Sequence, residues 1–106
     1  MGYYNIEVDK EVCKDIRRLP GSIRQRVWKA IRSLENNITP HNSKELDTEK
    51  AGIQLDADSK LYRIRIGVWR IIYFVEEDYQ QVSVLGVRKR PPYQYDDLKK
   101  LFDRIQ

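Results

Sequence analysis

The chain predicts an α+β fold: an N-terminal strand, a helical hairpin, then an antiparallel meander sheet with a short C-terminal helix. Three observations carry this. Two apolar stripes at helical spacing follow a first strand pattern, three strand patterns joined by short turns come next, and a last helical stripe closes the chain. In 106 residues there is no composition shift or flexible linker, so a single domain over 1–106 is expected.

The elements follow in order. From Tyr3 to Val8, Tyr4, Ile6 and Val8 alternate with Tyr3, Asn5 and Glu7, the period of a half-buried strand, and Asp9 is suited to cap a helix. Val12, Ile16 and Leu19 then lie on one helical face until Pro20-Gly21 breaks the run. Ser22 with Gln25 reads as a capping box that opens a longer helix, whose stripe is Ile23, Val27, Ala30, Ile31 and Leu34, with Ile38 a candidate extension. Between Asn36 and Ser59 the signals weaken, and Leu46, Ile53 and Leu55 are candidates for short edge strands. Strands at roughly 61–66, 69–76 and 81–87 are close enough in sequence to pair as a meander. Leu98, Leu101, Phe102 and Ile105 mark the C-terminal helix. With both hairpin helices on one face of the sheet, the other face is left for function.

Composition narrows the chemistry. Lys and Arg total 20 against 16 Asp and Glu, a net charge of +4 that favours nucleic acid or an acidic protein as partner. One Cys and one His cannot assemble a structural zinc site, and lone Cys13 cannot close an internal disulfide, so a reducing cytoplasm is the natural setting. The N-terminal residues have neither the long apolar run of a signal or membrane segment nor a myristoylation pattern. A soluble, untargeted protein is expected.

The densest information lies between Lys60 and Tyr95, where arginines interleave with strand-forming residues. In LYRIRI, Leu61, Arg63 and Arg65 share one face while Tyr62, Ile64 and Ile66 share the other. Arg70 opens the next strand, and Arg88, Lys89 and Arg90 close the last before Pro91 and Pro92 end the ladder. If these strands are neighbours, four or more cations converge on one surface. Their repulsion argues against a purely stabilising role, and a polyanion with planar phosphates would offset it. The plainer reading is a solvated strand face paired with Glu76, Glu77 and Asp78.

These residues carry a family resemblance over nearly the whole chain. The start YNIEVDKEVCKDIRRLP, the helix PGSIRQRVWKAIRSLE, the hairpin LYRIRIGVWRIIYFV and the close GVRKRPPYQYDDL resemble the RelE/ParE superfamily of bacterial and archaeal toxins from toxin–antitoxin pairs. The RelE branch implies a ribosome-dependent endoribonuclease that cuts mRNA in the A site of the 30S subunit, without metal or cofactor, and that is held in check by a cognate antitoxin. Carried over position by position, the resemblance assigns catalysis to Arg63, Arg65, Arg70, Arg88 and a C-terminal tyrosine. Tyr95 best matches the spacing, and Tyr93 is the alternative. Lys44, Lys60, Trp69, Lys89 and Arg90 are assigned to RNA binding. Relatives often have lysine where this chain has Arg63 and Arg65. A guanidinium stays protonated, so it can stabilise a phosphorane but is a poor base.

With His41 alone in a polar loop, read as a surface residue, there is no histidine pair for acid–base work. Electrostatic clamping of the phosphate is then the remaining strategy. Trp28 and Cys13 sit beside helical stripes and read as core, whereas Trp69 fits core or base stacking equally. Tyr62 and Tyr73 belong to the sheet interior. Two other functions stay open: a ParE-like gyrase poison without nuclease activity, and a catalytically inactive RNA- or antitoxin-binding module.

Overall fold

The computed structural model describes residues 3–50, 52–89 and 95–103. Its elements are β1 (Asn5–Val8), α1 (Lys10–Arg17), α2 (Gly21–Ser33), β2 (Ser43–Glu45), β3 (Ser59–Ile66), β4 (Trp69–Glu76), a 3-10 turn (Glu77–Tyr79), β5 (Gln81–Lys89) and α3 (Tyr95–Asp103). They form a mixed sheet in the order β1-β5-β4-β3-β2. The expected meander is β3-β4-β5, and β2 adds antiparallel to its outer edge. β1 instead pairs parallel with β5, Asn5 opposite Gln81 through Val8 opposite Val84. That pairing joins segments more than seventy residues apart, which no local pattern encodes.

Asp9 caps α1 as expected, its Oδ1 accepting from the Val12 amide at 3.0 Å. The Ser22–Gln25 capping box does not form. Pro20 is the N-cap and α2 begins at Gly21, so Ser22 already lies within the first turn. Proline fixes φ near the value that launches a helix and takes over the role assigned to serine. α2 also stops at Ser33, short of Ile38, where Asn37 Oδ1 accepts from the Thr39 amide and closes a local turn that competes with the helix. Ile38 still packs against the core, from a loop.

Two cores flank the sheet. On one face Val12, Ile16, Val27, Ile31 and Leu34 of the helices meet Tyr62, Ile64, Tyr73, Val82 and Val84. Tyr73 is fully buried, stacks on Tyr62 with ring centroids 5.4 Å apart, and donates from Oη to the Ile38 carbonyl at 2.6 Å. The opposite face is not left bare as expected. Leu61, Ile72, Phe74 and Leu85 form a second core with Leu101 and Phe102 of α3, the Phe74 and Phe102 rings meeting edge to face at 5.2 Å. Ile53 is buried there, with Leu46 and Leu55 against it, all three from loop rather than from the edge strands expected of them. Leu46 only extends the β2 ladder by one bond, its amide donating to the Leu61 carbonyl. Ile105 and the Leu98 side chain lie outside the described residues.

A register shift between Ile72 and Tyr73 interrupts the β4–β5 ladder. Tyr73 faces Val84 but Ile72 faces Gly86, leaving Leu85 as an extra residue in β5. At the β3–β4 turn Gly67 takes φ 59, the left-handed region open to glycine without a Cβ clash.

Burial raises the Tyr73 hydroxyl above its ordinary value of 10.0, and the charge of Tyr62 adds to the shift, while a Ser43 hydrogen bond works against it. Tyr62 is raised too, by burial first and then by Glu45 and Glu77. A raised tyrosine keeps its proton in the folded state at a pH where the unfolded chain has lost it. The stabilisation is therefore complete below about pH 10 and declines as pH climbs from there toward the folded value. Urea midpoints from pH 8 to 11 should fall above pH 10, and the fall should be shallower in Tyr73→Phe. An identical slope in that variant would remove Tyr73 from the account.

Candidate nucleic-acid interface

The meander register places the arginines. Arg65 lies directly opposite Arg70, and Arg70 directly opposite Arg88, so the three occupy one row across β3, β4 and β5. Neighbouring strands are about 4.8 Å apart, which puts the outer two backbones roughly 10 Å from each other. One rung along, Lys44 of β2 is opposite Arg63. Like charges directly opposite each other on a sheet are destabilising, and here three such pairs are neighbours.

Arg88 shares this face only because of the extra residue in β5. Val82 and Val84 point to the helical core, and strict alternation would send Arg88 the same way. With Leu85 and Gly86 both on the α3 side, Val87 returns to the helical core and Arg88 comes out beside Arg70. A Cβ at Gly86 would stand 3.0 Å from Leu101 Cδ2 and 3.2 Å from Arg88 Nη1. Glycine leaves the room that the arginine and α3 both use.

The guanidinium groups are held differently. Arg65 is exposed. Asn42 clasps its backbone, donating from Nδ2 to the Arg65 carbonyl at 3.0 Å while the Asn42 carbonyl accepts from the Arg65 amide at 3.1 Å. That carbonyl also accepts from half-buried Arg63 Nη1 at 3.3 Å. Arg70 is only 6% exposed, and its Nη1 donates to the Gly67 and Trp69 carbonyls at 2.8 and 2.9 Å, bracing the β3–β4 turn. Arg88 Nη1 donates to the Val87 carbonyl and lies 3.6 Å from Asp15 Oδ2 of α1.

An open cleft of about 260 Å³ lies along Arg63 and Arg65, walled by His41, Asn42, Ser43 and Lys44. Sequence reasoning left His41 on the surface, and it passed over Asn42 and Asp15 altogether. His41 is exposed, and it stands on the wall of the arginine cleft. The asparagines and proline of NNITPHN gave a turn signal, but not that the turn would reach across to the arginine strand.

Other assignments disperse. Lys89 is exposed and opposite Trp69, and Trp69 packs against the helical core on the side of the sheet away from Arg70. A base-stacking role for Trp69 beside the arginines does not survive that placement, since adjacent strand residues point to opposite faces. Lys60 sits five residues before Arg65, about 17 Å along β3, and is not part of the cluster. Arg90 and Tyr93 lie outside the described residues. Tyr95 is the first residue of α3, and its side chain lies outside them as well.

The acidic partners of the plainer reading are elsewhere. Glu76 closes β4 at the far end from Arg70, and the Glu77 and Asp78 amides donate to the carbonyl and Oδ2 of Asp58. A side-chain hydrogen bond with Asp58, and that residue's charge, raise the Asp78 carboxyl above its ordinary value. No ion pair links Glu76, Glu77 or Asp78 to Arg63, Arg65 or Arg88 among the described residues. The described residues also contain no His, Cys, Asp and Glu group able to hold a metal, and no helix long and apolar enough to cross a membrane.

Comparison with known proteins agrees with this architecture. Residues 6–91 match the family described as ParE toxin of type II toxin–antitoxin system, parDE. A Methanocaldococcus jannaschii protein bearing the name RelE1 is 28% identical over 87 residues, covering 82% of this chain and 90% of its own. The archaeal RelE–RelB complex from Pyrococcus horikoshii contains a chain that superposes with a TM-score of 0.71 at 25% identity, covering 84% of this chain and 97% of that one. The free E. coli RelE mutant shares the fold across 100% of both chains, at a TM-score of 0.62 and 19% identity. The chain belongs to the ParE toxin family of type II toxin–antitoxin systems and, within the RelE/ParE superfamily, lies close to the RelE branch.

Proposed function

We propose that this toxin is a metal-independent endoribonuclease that cleaves mRNA in the ribosomal A site. The observation that carries the reading is the cross-strand row Arg65–Arg70–Arg88, with Arg63 and Lys44 one rung away. Cleavage by the RNA's own 2′-hydroxyl needs that proton removed, the pentacoordinate phosphorus stabilised and the leaving 5′-oxygen protonated. Arg63 and Arg65 border the open cleft and clamp the phosphate oxygens, and Arg88 closes on the phosphate from the other end of the row. Preorganised charge of this kind is commonly the largest single contribution to catalysis. Arg70, bonded to the turn carbonyls, adds positive potential beneath the phosphate and sets the spacing of its neighbours. Tyr95, at the start of α3, is the candidate for base stacking or proton transfer, with Tyr93 as the alternative. A cognate antitoxin with acidic residues and apolar anchors covers the arginine face; the solved RelE–RelB and RelBE2 complexes support such a partner.

The match to the family described as ParE favours a second reading, a gyrase poison that binds without cutting RNA. One experiment separates the two. Expression without a partner should arrest growth and leave new transcript ends inside translated codons. Arrest with intact mRNA and gyrase-linked DNA breaks would replace the nuclease by the gyrase poison.

A further inference from the structure

A second cleft, about 400 Å³, opens between α2 and β3, inside the range of roughly 300–1,000 Å³ typical of small-ligand sites. Ala30, Pro40, Ile64 and Ile66 supply apolar lining, and Arg26 and Lys29 stand at its rim. These two cations are exposed, lie three positions apart on one helix face, and make no ion pair among the described residues. His41 and Asn42 belong to both clefts, so the Pro40–Asn42 segment is a ridge at the sheet edge, with Arg63 and Arg65 on one slope and Arg26 and Lys29 on the other. The two helices and their connection are basic as a unit. Lys10–Ser33 contains eight Lys and Arg against two acids, a surplus of six, whereas the entire chain has a surplus of four.

We propose that the α2–β3 cleft is a nucleotide subsite of the same RNA strand: the strand leaves the arginine row, crosses the ridge at His41, and places a base on the apolar lining and a phosphate between Arg26 and Lys29. This rests on the RNA-cleaving reading and extends it. An apolar bed with cations only at the rim matches a nucleotide, whose base is flat and weakly polar on its faces and whose charge is confined to the backbone. Continuity through His41 and Asn42 favours one bound strand over a separate acidic peptide. The subsite lies beyond the reacting phosphate, so it lends affinity and register to longer RNA and nothing to the shortest substrates.

The test is fluorescence anisotropy with labelled, unstructured RNA of three and nine nucleotides, titrated at several salt concentrations. The proteins are wild type, Arg26→Gln with Lys29→Gln, and Arg17→Gln with Arg18→Gln, which removes the same charge from the C-terminal end of α1, outside the cleft lining. All three should melt alike, since every changed side chain is exposed. The Arg26/Lys29 pair should lower nine-nucleotide affinity roughly ten-fold. It should also reduce the salt slope by about 0.7, the value for one lost phosphate contact on a single strand, while trinucleotide affinity stays at the wild-type value. Nine-nucleotide affinity unchanged in that variant, or lowered equally by the Arg17/Arg18 pair, overturns the subsite. If polyglutamate binding falls while RNA binding holds, the cleft belongs to a protein partner. Wild type that binds neither RNA overturns the subsite, while the ribosome-dependent reading stands or falls on the transcript ends.

Discussion

Changing Arg65 or Arg88 to alanine is expected to slow mRNA cleavage by a factor of about a hundred to a thousand, equivalent to the ~2.7–4 kcal/mol commonly lost with one charge contact to a transition state. The argument depends on how little else these side chains do. Arg65 is exposed and its backbone stays clasped by Asn42 whatever the side chain. Arg88 has its contact with Asp15, but both side chains are more than a quarter exposed, and pairs of that kind are worth no more than about 1 kcal/mol. Removing either arginine also relieves repulsion from Arg70 across the row, so stability should hold or rise slightly while activity collapses. That opposition distinguishes a functional cluster from a structural one. Lysine at either position should retain part of the activity, keeping the charge without the two-pronged geometry. Single-turnover cleavage on programmed ribosomes, alongside urea denaturation, measures both quantities. A folded double alanine variant with the wild-type rate would sink the site.

The second large effect belongs to Tyr73→Ala, which should remove ~3–5 kcal/mol of stability, as aromatic-to-alanine changes in a core do. Tyr73 is fully buried, and its loss opens a cavity against Tyr62 and leaves the Ile38 carbonyl without its donor. Against a typical total of about 5–15 kcal/mol, this brings the fold close to its limit. Ile38 opens the loop that continues to His41 and Asn42, so the damage should reach the arginine cleft as well. Tyr73→Phe keeps the ring and loses only the hydrogen bond, a net change nearer 1 kcal/mol. Urea midpoints for the pair are the measurement, and a Tyr73→Ala midpoint within experimental error of wild type would refute this view of the core.

The sequence was most legible where structure is local. Alternation in LYRIRI separates Arg63 and Arg65 from Tyr62, Ile64 and Ile66, and the short turns bring Arg70 and Arg88 alongside. The capping box failed because two start signals overlapped, and the proline prevailed over the serine. Trp69 was left open although its neighbour Arg70 already determined its side. The misses with larger consequences are non-local. The second core draws on Ile53 from an irregular loop and Leu101 from α3, and β1 finds β5 across most of the chain. Asn42 matters through a side-chain amide and a backbone carbonyl that both reach β3 from a distant loop, a pairing that no local pattern announces.

The extra residue in β5 bears on how this toxin can change over time. Surface turns usually absorb insertions and deletions, and most single replacements on a strand alter one contact. Between Val84 and Arg88, chain length itself is under constraint. Deleting one residue there would close the bulge and leave Val87 in the helical core and Arg88 opposite Arg70, because the shortened strand alternates without interruption, whereas adding one with the bulge kept would turn Val87 out of the core and drive Arg88 into it. A toxin gene can therefore lose three nucleotides in this short stretch and keep Arg88 in its row, while an in-frame gain of three with the bulge kept disarms the protein and unseats its core together.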